Sequence, residues 1–211
     1  MKPILFNTEM VRAILEGRKT VTRRVVKPQP QSKYKYKLGY IIDSTDKNNE
    51  GRYAFGTYEY GGQCCYAKPP YKVGDVLYVR ETWTDWSCTE CDGDCISDNG
   101  ITCTAPKYLY KADGAEISKG WKPSIHMPKA AARIFLKVTD IRVERLQDMT
   151  KEDALKEGIN PKLCVNLAHT LTKFKKLWDS TIKPDQLKYY SWEANPYVWV
   201  IEFERVDKCS D

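Results

Sequence analysis

No apolar run in the sequence approaches the ~20 residues that a membrane-spanning helix needs, so no membrane partner is expected. The opening residues, MKPILFNTEMVRAILEG, lack a long apolar stretch followed by a small-residue cleavage site. Export is therefore not expected, and a cytoplasmic location is. No internal repeat is visible. Negative charge is scarce in one stretch. Residues 12–37 carry Arg12, Arg18, Lys19, Arg23, Arg24, Lys27, Lys33, Lys35 and Lys37, and only Glu16 opposes them.

What is present is ordinary for a folded protein. The 211 residues are 42% hydrophobic and 29% charged, enough to bury a core and too apolar for disorder along the whole chain. Lys+Arg number 34 and Asp+Glu 28, a formal net charge of +6. The basic stretch reads either as a solvated face or as a surface that meets phosphate. The 14 Tyr, 6 Trp and 5 Phe serve either core packing or base stacking.

Along the chain, residues 7–17 predict a short helix with Asn7 or Thr8 as cap and Gly17 as stop. Thr20 to Val26, rich in β-branched residues, predicts a strand that Pro28 and Pro30 break. Residues 31–70, rich in Tyr, Lys and Gly with weak periodicity, read as a first insertion. Gly74-Asp75 turns the chain into a strand that enters VRETW, and residues 84–106 form a second, cysteine-rich insertion. Tyr108 to Lys111 predicts a short strand. Ile134 to Leu146 predicts a long one whose alternation slips near Thr139-Asp140, the mark of a bulge or bend. Thr150 followed by Asp153 resembles a capping box for a helix ending at Gly158. Residues 167–182 predict an amphipathic core helix, and Tyr197 to Phe203 a closing strand. The sum is α+β, a single domain over 1–211 built around a curled sheet or small barrel with flanking helices.

Gly17-Arg18-Lys19-Thr20-Val21-Thr22-Arg23-Arg24 is the densest candidate for chemistry. A lysine beside a threonine can act as base for a hydroxyl nucleophile if burial or nearby cations depress its pKa. Arg18, Arg23 and Arg24 supply such cations, and they also suit phosphate. The alternative is a basic edge strand with ordinary threonines.

GRKTVTRR after a short helix resembles the signature of ASCH domains, which share a PUA-like β-barrel. GDVLYVRETW, WKPSIHMP, MTKEDALKEGI and WEANPYVWVIEF agree with it, so the resemblance covers the chain apart from the two insertions. It is greatest to the longer ASCH proteins of bacteriophages and prophages. The resemblance implies a protein that acts on or binds RNA or nucleosides. A compact bacterial branch of the family deacetylates acetylcytidine. The catalytic Lys, Thr and Glu of that branch fall on Lys19, Thr22 and Glu157. In a regular strand residues 19 and 22 point to opposite faces, so the scheme needs Lys19 in the turn or beside a bulge. This chain is about twice the size of those enzymes.

Other polar and aromatic residues are candidates for the wall of such a cavity: Arg80 and Glu81, then Trp121, Ser124 and His126, then Trp192 and Asn195. A base wants an aromatic face and a polar edge. Glu81 reads first as an arginine's partner, and His126 first as a structural histidine.

Cys88, Cys91, Cys95 and Cys103 follow the pattern C-x2-C-x3-C-x7-C. Four thiolates so close suit a closed, structural zinc site in an insertion with few apolar residues. Cys64 or Cys65 can replace one ligand. Disulfides and free thiols are the alternatives.

The expected function is therefore ASCH-type amide hydrolysis of an acetylated cytidine or a related modified nucleoside. The other readings are a non-catalytic RNA-binding module and a ribonuclease using the same basic cleft.

Overall fold

The computed structural model describes residues 1–85, 107–114, 117, 120–161 and 166–207. In chain order the elements are β1 (Lys2–Leu5), α1 (Thr8–Leu15), β2 (Val21–Val25), β3 (Tyr36–Tyr40), β4 (Tyr53–Tyr58), β5 (Gly61–Ala67), β6 (Val76–Arg80), β7 (Trp83–Asp85), β8 (Tyr108–Tyr110), β9 (Phe135–Arg145), α2 (Lys151–Lys156), α3 (Leu167–Ser180), α4 (Leu187–Tyr190) and β10 (Tyr197–Val206). The fold is mixed α+β. Its sheets are open, and no closed barrel is present among the described residues.

The chain divides into two units. The first draws on the stretches 1–17, 76–137 and 205–207. Here β1 lies parallel to β6, from Lys2↔Leu77 to Leu5↔Arg80, and β6 runs antiparallel to the start of β9. The Asn7 side chain accepts from Met10 N at 2.9 Å and caps α1. Val11, Ala13 and Ile14 form its buried face, and Gly17 ends it at φ 73°, a left-handed conformation that glycine adopts without steric cost. Tyr78, Trp83, Met127, Ala131, Ala132 and Phe135 make an apolar cluster.

The second unit comprises 18–75 and 138–204. Its centre is β10, paired antiparallel with β2 from Val198↔Val25 to Glu202↔Val21. Side chains alternate along a strand, and β10 uses both faces. Val198 and Val200 join Val21, Leu146, Met149, Ala154, Phe174 and Trp178 under α2 and α3. Tyr197 and Trp199 face the antiparallel sheet β3-β4-β5 instead. Phe55 lies 5.0 Å from Tyr197, Tyr53 lies 6.1 Å from Trp199, and Tyr40 stacks on Trp199 at 6.4 Å.

Residues 31–70, read from the sequence as an insertion of weak periodicity, thus supply a three-stranded sheet that covers one face of β10. Its inward residues are aromatic rather than aliphatic, and its register shifts at Lys37/Gly39 and at Gly56/Tyr58, so its alternation is hard to see. The long strand β9 runs unbroken, and its burial changes phase at Thr139 and Asp140, two consecutive exposed residues. The Thr150/Asp153 capping box is present at the start of α2.

Candidate active site

Two short segments of the second unit lie alongside one another. Lys19 pairs with Glu157 as an isolated antiparallel bridge, and Thr20 N donates to Lys156 O at 2.9 Å. Arg18 donates to Gly158 O at 2.5 Å. Glu157 caps the C-terminus of α2, and Gly158 turns the chain away at φ 98°. An anion at a helix C-terminus meets the negative end of the helix dipole. Lys19 and Arg23 offset that repulsion.

The Lys19 ammonium donates to Glu157 Oε2 at 2.6 Å, to Glu157 O at 2.9 Å and to Val21 O at 2.8 Å. Three acceptors match the three protons of an ammonium group. Burial nonetheless lowers the Lys19 pKa from its ordinary value. Glu157 opposes that shift, and Arg24 and Arg23 add to it. Exposure is 3% for Lys19, 4% for Thr22 and 5% for Glu157, so the predicted trio is covered.

The Val21 contact fixes where the Lys19 ammonium lies along β2. Carbonyls of successive strand residues point to opposite edges. Thr20 O accepts from Phe203 N on the β10 side, so Val21 O points to the outer edge of β2. The ammonium therefore sits on that edge, anchored to the peptide that joins Val21 to Thr22.

Thr22 and Arg24 pair with Ile201 and Trp199 and share their face. Arg23 points the other way, with Val21. From the outer edge Lys19 feels both Arg24 and Arg23. Burial lowers the Arg24 pKa, while Tyr71 and Glu157 pull it back up; an arginine so placed keeps its charge.

Arg23, expected to act as a cation on Lys19 and to meet substrate, does lower the Lys19 pKa and also makes ion pairs of its own. Its side chain is fully buried and reaches Glu157 Oε1 at 3.3 Å, Glu144 Oε2 at 3.4 Å and Asp153 Oδ2 at 3.4 Å. It holds the Glu157 carboxylate from the side opposite Lys19. Sequence reasoning missed Glu144 and Asp153. The signal for Asp153 was its capping-box position, because one of its oxygens serves both Thr150 N and Arg23.

The remaining candidates divide between the units. Arg80, Glu81, Trp121, Ser124 and His126 belong to the first unit, the trio to the second. Glu81, 1% exposed, accepts from Arg133 Nε at 2.9 Å and Nη2 at 3.0 Å. Burial raises its pKa, and Arg133 opposes the shift. Arg80 donates to Ile125 O at 3.2 Å. Ser124 and His126 lie on one helical turn, His126 exposed and Ser124 half-buried, and Trp121 is half-buried.

Trp192 packs on Phe174 at 6.1 Å, and Asn195 takes a left-handed turn at φ 44° while accepting from Gln147 N. Both serve the packing of the 192–197 turn. Cys88, Cys91, Cys95 and Cys103 lie outside the described residues. Cys64 and Cys65 are free, adjacent on β5 and on opposite faces of it. No cluster able to hold a metal occurs among the described residues.

A groove continues along the outer edge of β2. It measures about 360 Å³ and is lined by Arg23, Arg24, Val25 and Lys27 from the β2 side and by Trp178, Lys183, Gln186 and Tyr190 opposite. Sequence reasoning missed its far wall, because residues 183–190 carry no motif.

No family model matches the chain, and neither a curated protein nor a solved structure matches it.

Proposed function

We propose that the chain is an ASCH-type hydrolase of the PUA-like superfamily that cleaves the amide of an acetylated cytidine or a related modified nucleoside. The carrying observation is a nearly inaccessible lysine whose pKa burial lowers. It is hydrogen-bonded at 2.6 Å to a buried glutamate and anchored to the peptide that begins Thr22. Buried charges of this kind are costly, and perturbed titratable groups concentrate where chemistry is done.

In the proposed reaction neutral Lys19 takes the Thr22 hydroxyl proton as Thr22 Oγ1 attacks the acetyl carbonyl carbon. The adduct collapses with breakage of the C–N bond, and Lys19 returns the proton to the departing exocyclic amine. Water then attacks the acetyl ester on Thr22, Glu157 orients that water and Lys19 accepts its proton. Acetate leaves and the Thr22 hydroxyl is restored. Lys19 hands the proton of that water to the departing Thr22 oxygen, so one amide and one water give one amine, one acetate and one proton. Arg24, on the Thr22 face, supplies positive charge for the carbonyl oxygen as it becomes an oxyanion.

Cys88, Cys91, Cys95 and Cys103 are proposed to hold a structural zinc on the strength of their spacing; a closed thiolate site leaves no open position for catalysis. The test of the main reading is chromatography of acetylcytidine incubated with the protein. Cytidine formation that disappears in Lys19→Ala supports it, and equal turnover by the two proteins removes it.

A further inference from the structure

The groove on the outer edge of β2 is unlike the covered trio. Its lining holds Arg24, Lys27 and Lys183 together with Arg23, whose charge is already engaged by Glu144, Asp153 and Glu157, and no Asp or Glu contributes to it. Among the described residues neither Lys27 nor Lys183 has a carboxylate partner, although both are exposed. Lysines with no partner to neutralise them, gathered on a concave wall, raise the local concentration of anions.

The opposite wall adds a second kind of chemistry. Tyr190 lies under Lys27, with its ring 5.1 Å from the ammonium. It is held in place through its carbonyl, which accepts from Trp178 Nε1 at 2.8 Å. Gln186 adds an amide with both donors and an acceptor. A volume of about 360 Å³ falls at the small end of ligand pockets. Cations, an aromatic ring and an amide in so small a space fit a phosphate joined to a sugar and a planar base.

Position connects this groove to the trio. Both lie along the outer edge of one strand, and Arg24 belongs to both, lining the groove while its charge acts on Lys19. We infer that the groove binds the phosphate of a nucleotide, so that the preferred ligand is phosphorylated rather than a bare nucleoside. The assignment of that nucleotide as the substrate rests on the hydrolase reading; phosphate binding itself does not.

The shared chemistry, a nucleotide phosphate, is offered both by a mononucleotide and by an RNA chain. Titration calorimetry on the full chain uses four probes: inorganic phosphate, cytidine, cytidine 5′-monophosphate and a short cytidine-containing RNA. The monophosphate is expected to bind about tenfold or more tighter than cytidine at low salt, with an advantage that shrinks as salt rises. The exposed double variant Lys27→Gln/Lys183→Gln is expected to erase that advantage and leave cytidine affinity unchanged. Tyr190→Leu is expected to weaken the monophosphate but not inorganic phosphate.

Tighter binding of the RNA than of the monophosphate places the phosphate within a chain, and equal binding places it on a mononucleotide; each supports the groove. Equal affinity for cytidine and its monophosphate, an undiminished advantage in the double variant, or no binding of any probe overturns the inference. Phosphate-dependent binding without turnover of acetylcytidine overturns the hydrolase reading alone, and turnover without phosphate-dependent binding overturns the groove alone.

Discussion

Glu157 is 138 positions from Lys19 in the chain, yet its carboxylate and its backbone carbonyl both accept from the one ammonium, at 2.6 and 2.9 Å. A single residue at the end of α2 thereby fixes the lysine at the edge of β2. Arg23 fixes the glutamate in turn, from a fully buried position.

Removing the ammonium leaves Glu157 buried with Arg23 as its ion-pair partner and the charge of Arg24 nearby. Lys19→Met is expected to cost about 3–5 kcal/mol, the usual effect of breaking a buried pair from one side. Lys19→Met/Glu157→Gln is expected to recover part of that loss, because the uncompensated charge goes with it. Urea unfolding of the two single variants and the double variant measures the coupling. Strict additivity of the single effects would show that the pair does not act as a unit.

Burial holds Lys19 below the 10.5 at which it titrates when free. Between the lowered native value and 10.5 the unfolded chain keeps a proton that the native protein has released. Stability therefore rises with pH through that window and is flat below it. Tyrosines work the other way at higher pH, with Tyr40 pushed up to about 12 by burial and Tyr53 and Tyr71 also raised. The rise is thus to be read on the alkaline side below 10.0, the ordinary tyrosine value. Wild type is expected to gain stability relative to Lys19→Met across that range, and two parallel profiles would contradict the assignment. Turnover is expected to rise over the same limb, since Lys19 must be neutral to accept the Thr22 proton.

Gly158 sits at φ 98°, immediately after the glutamate. A residue with a Cβ is strained there. Its carbonyl also holds Arg18. Gly158→Ala is expected to destabilise by about 1–2 kcal/mol and to lower turnover by shifting Glu157. Thermal unfolding and acetylcytidine assays on that variant read the two effects, and an unchanged Tm with full activity would refute both.

Purified, reduced protein is expected to carry about one zinc per chain, with metal analysis as the readout. Serine at Cys88 and Cys91 together should abolish the zinc content. Retention of metal in that variant would assign it elsewhere.

The sequence made Lys19 and Glu157 visible as a pair only through a family resemblance, since nothing in their local patterns links residues 138 apart. Local signals carried α1, α2 and β2, where Asn7, Thr150 and the β-branched run act on their own neighbours. The ion pairs of Arg23 were not legible, because a run of arginines reads as surface. Its burial depends on Glu144 and Asp153, which come from β9 and α2. The sheet of β3, β4 and β5 was illegible for a related reason, because its aromatics acquire an inward face only once Tyr197 and Trp199 are there to receive them. The groove needed both β2 and the 183–190 segment, and neither signals the other.

The central claim concerns one proton on one buried lysine. Acetylcytidine incubated with wild type and with Lys19→Met, followed by separation of the product, tests it most directly. Wild type is expected to give cytidine and acetate in equal amounts, and the variant no product above background. Equal product from both, or none from the folded wild type, would contradict it.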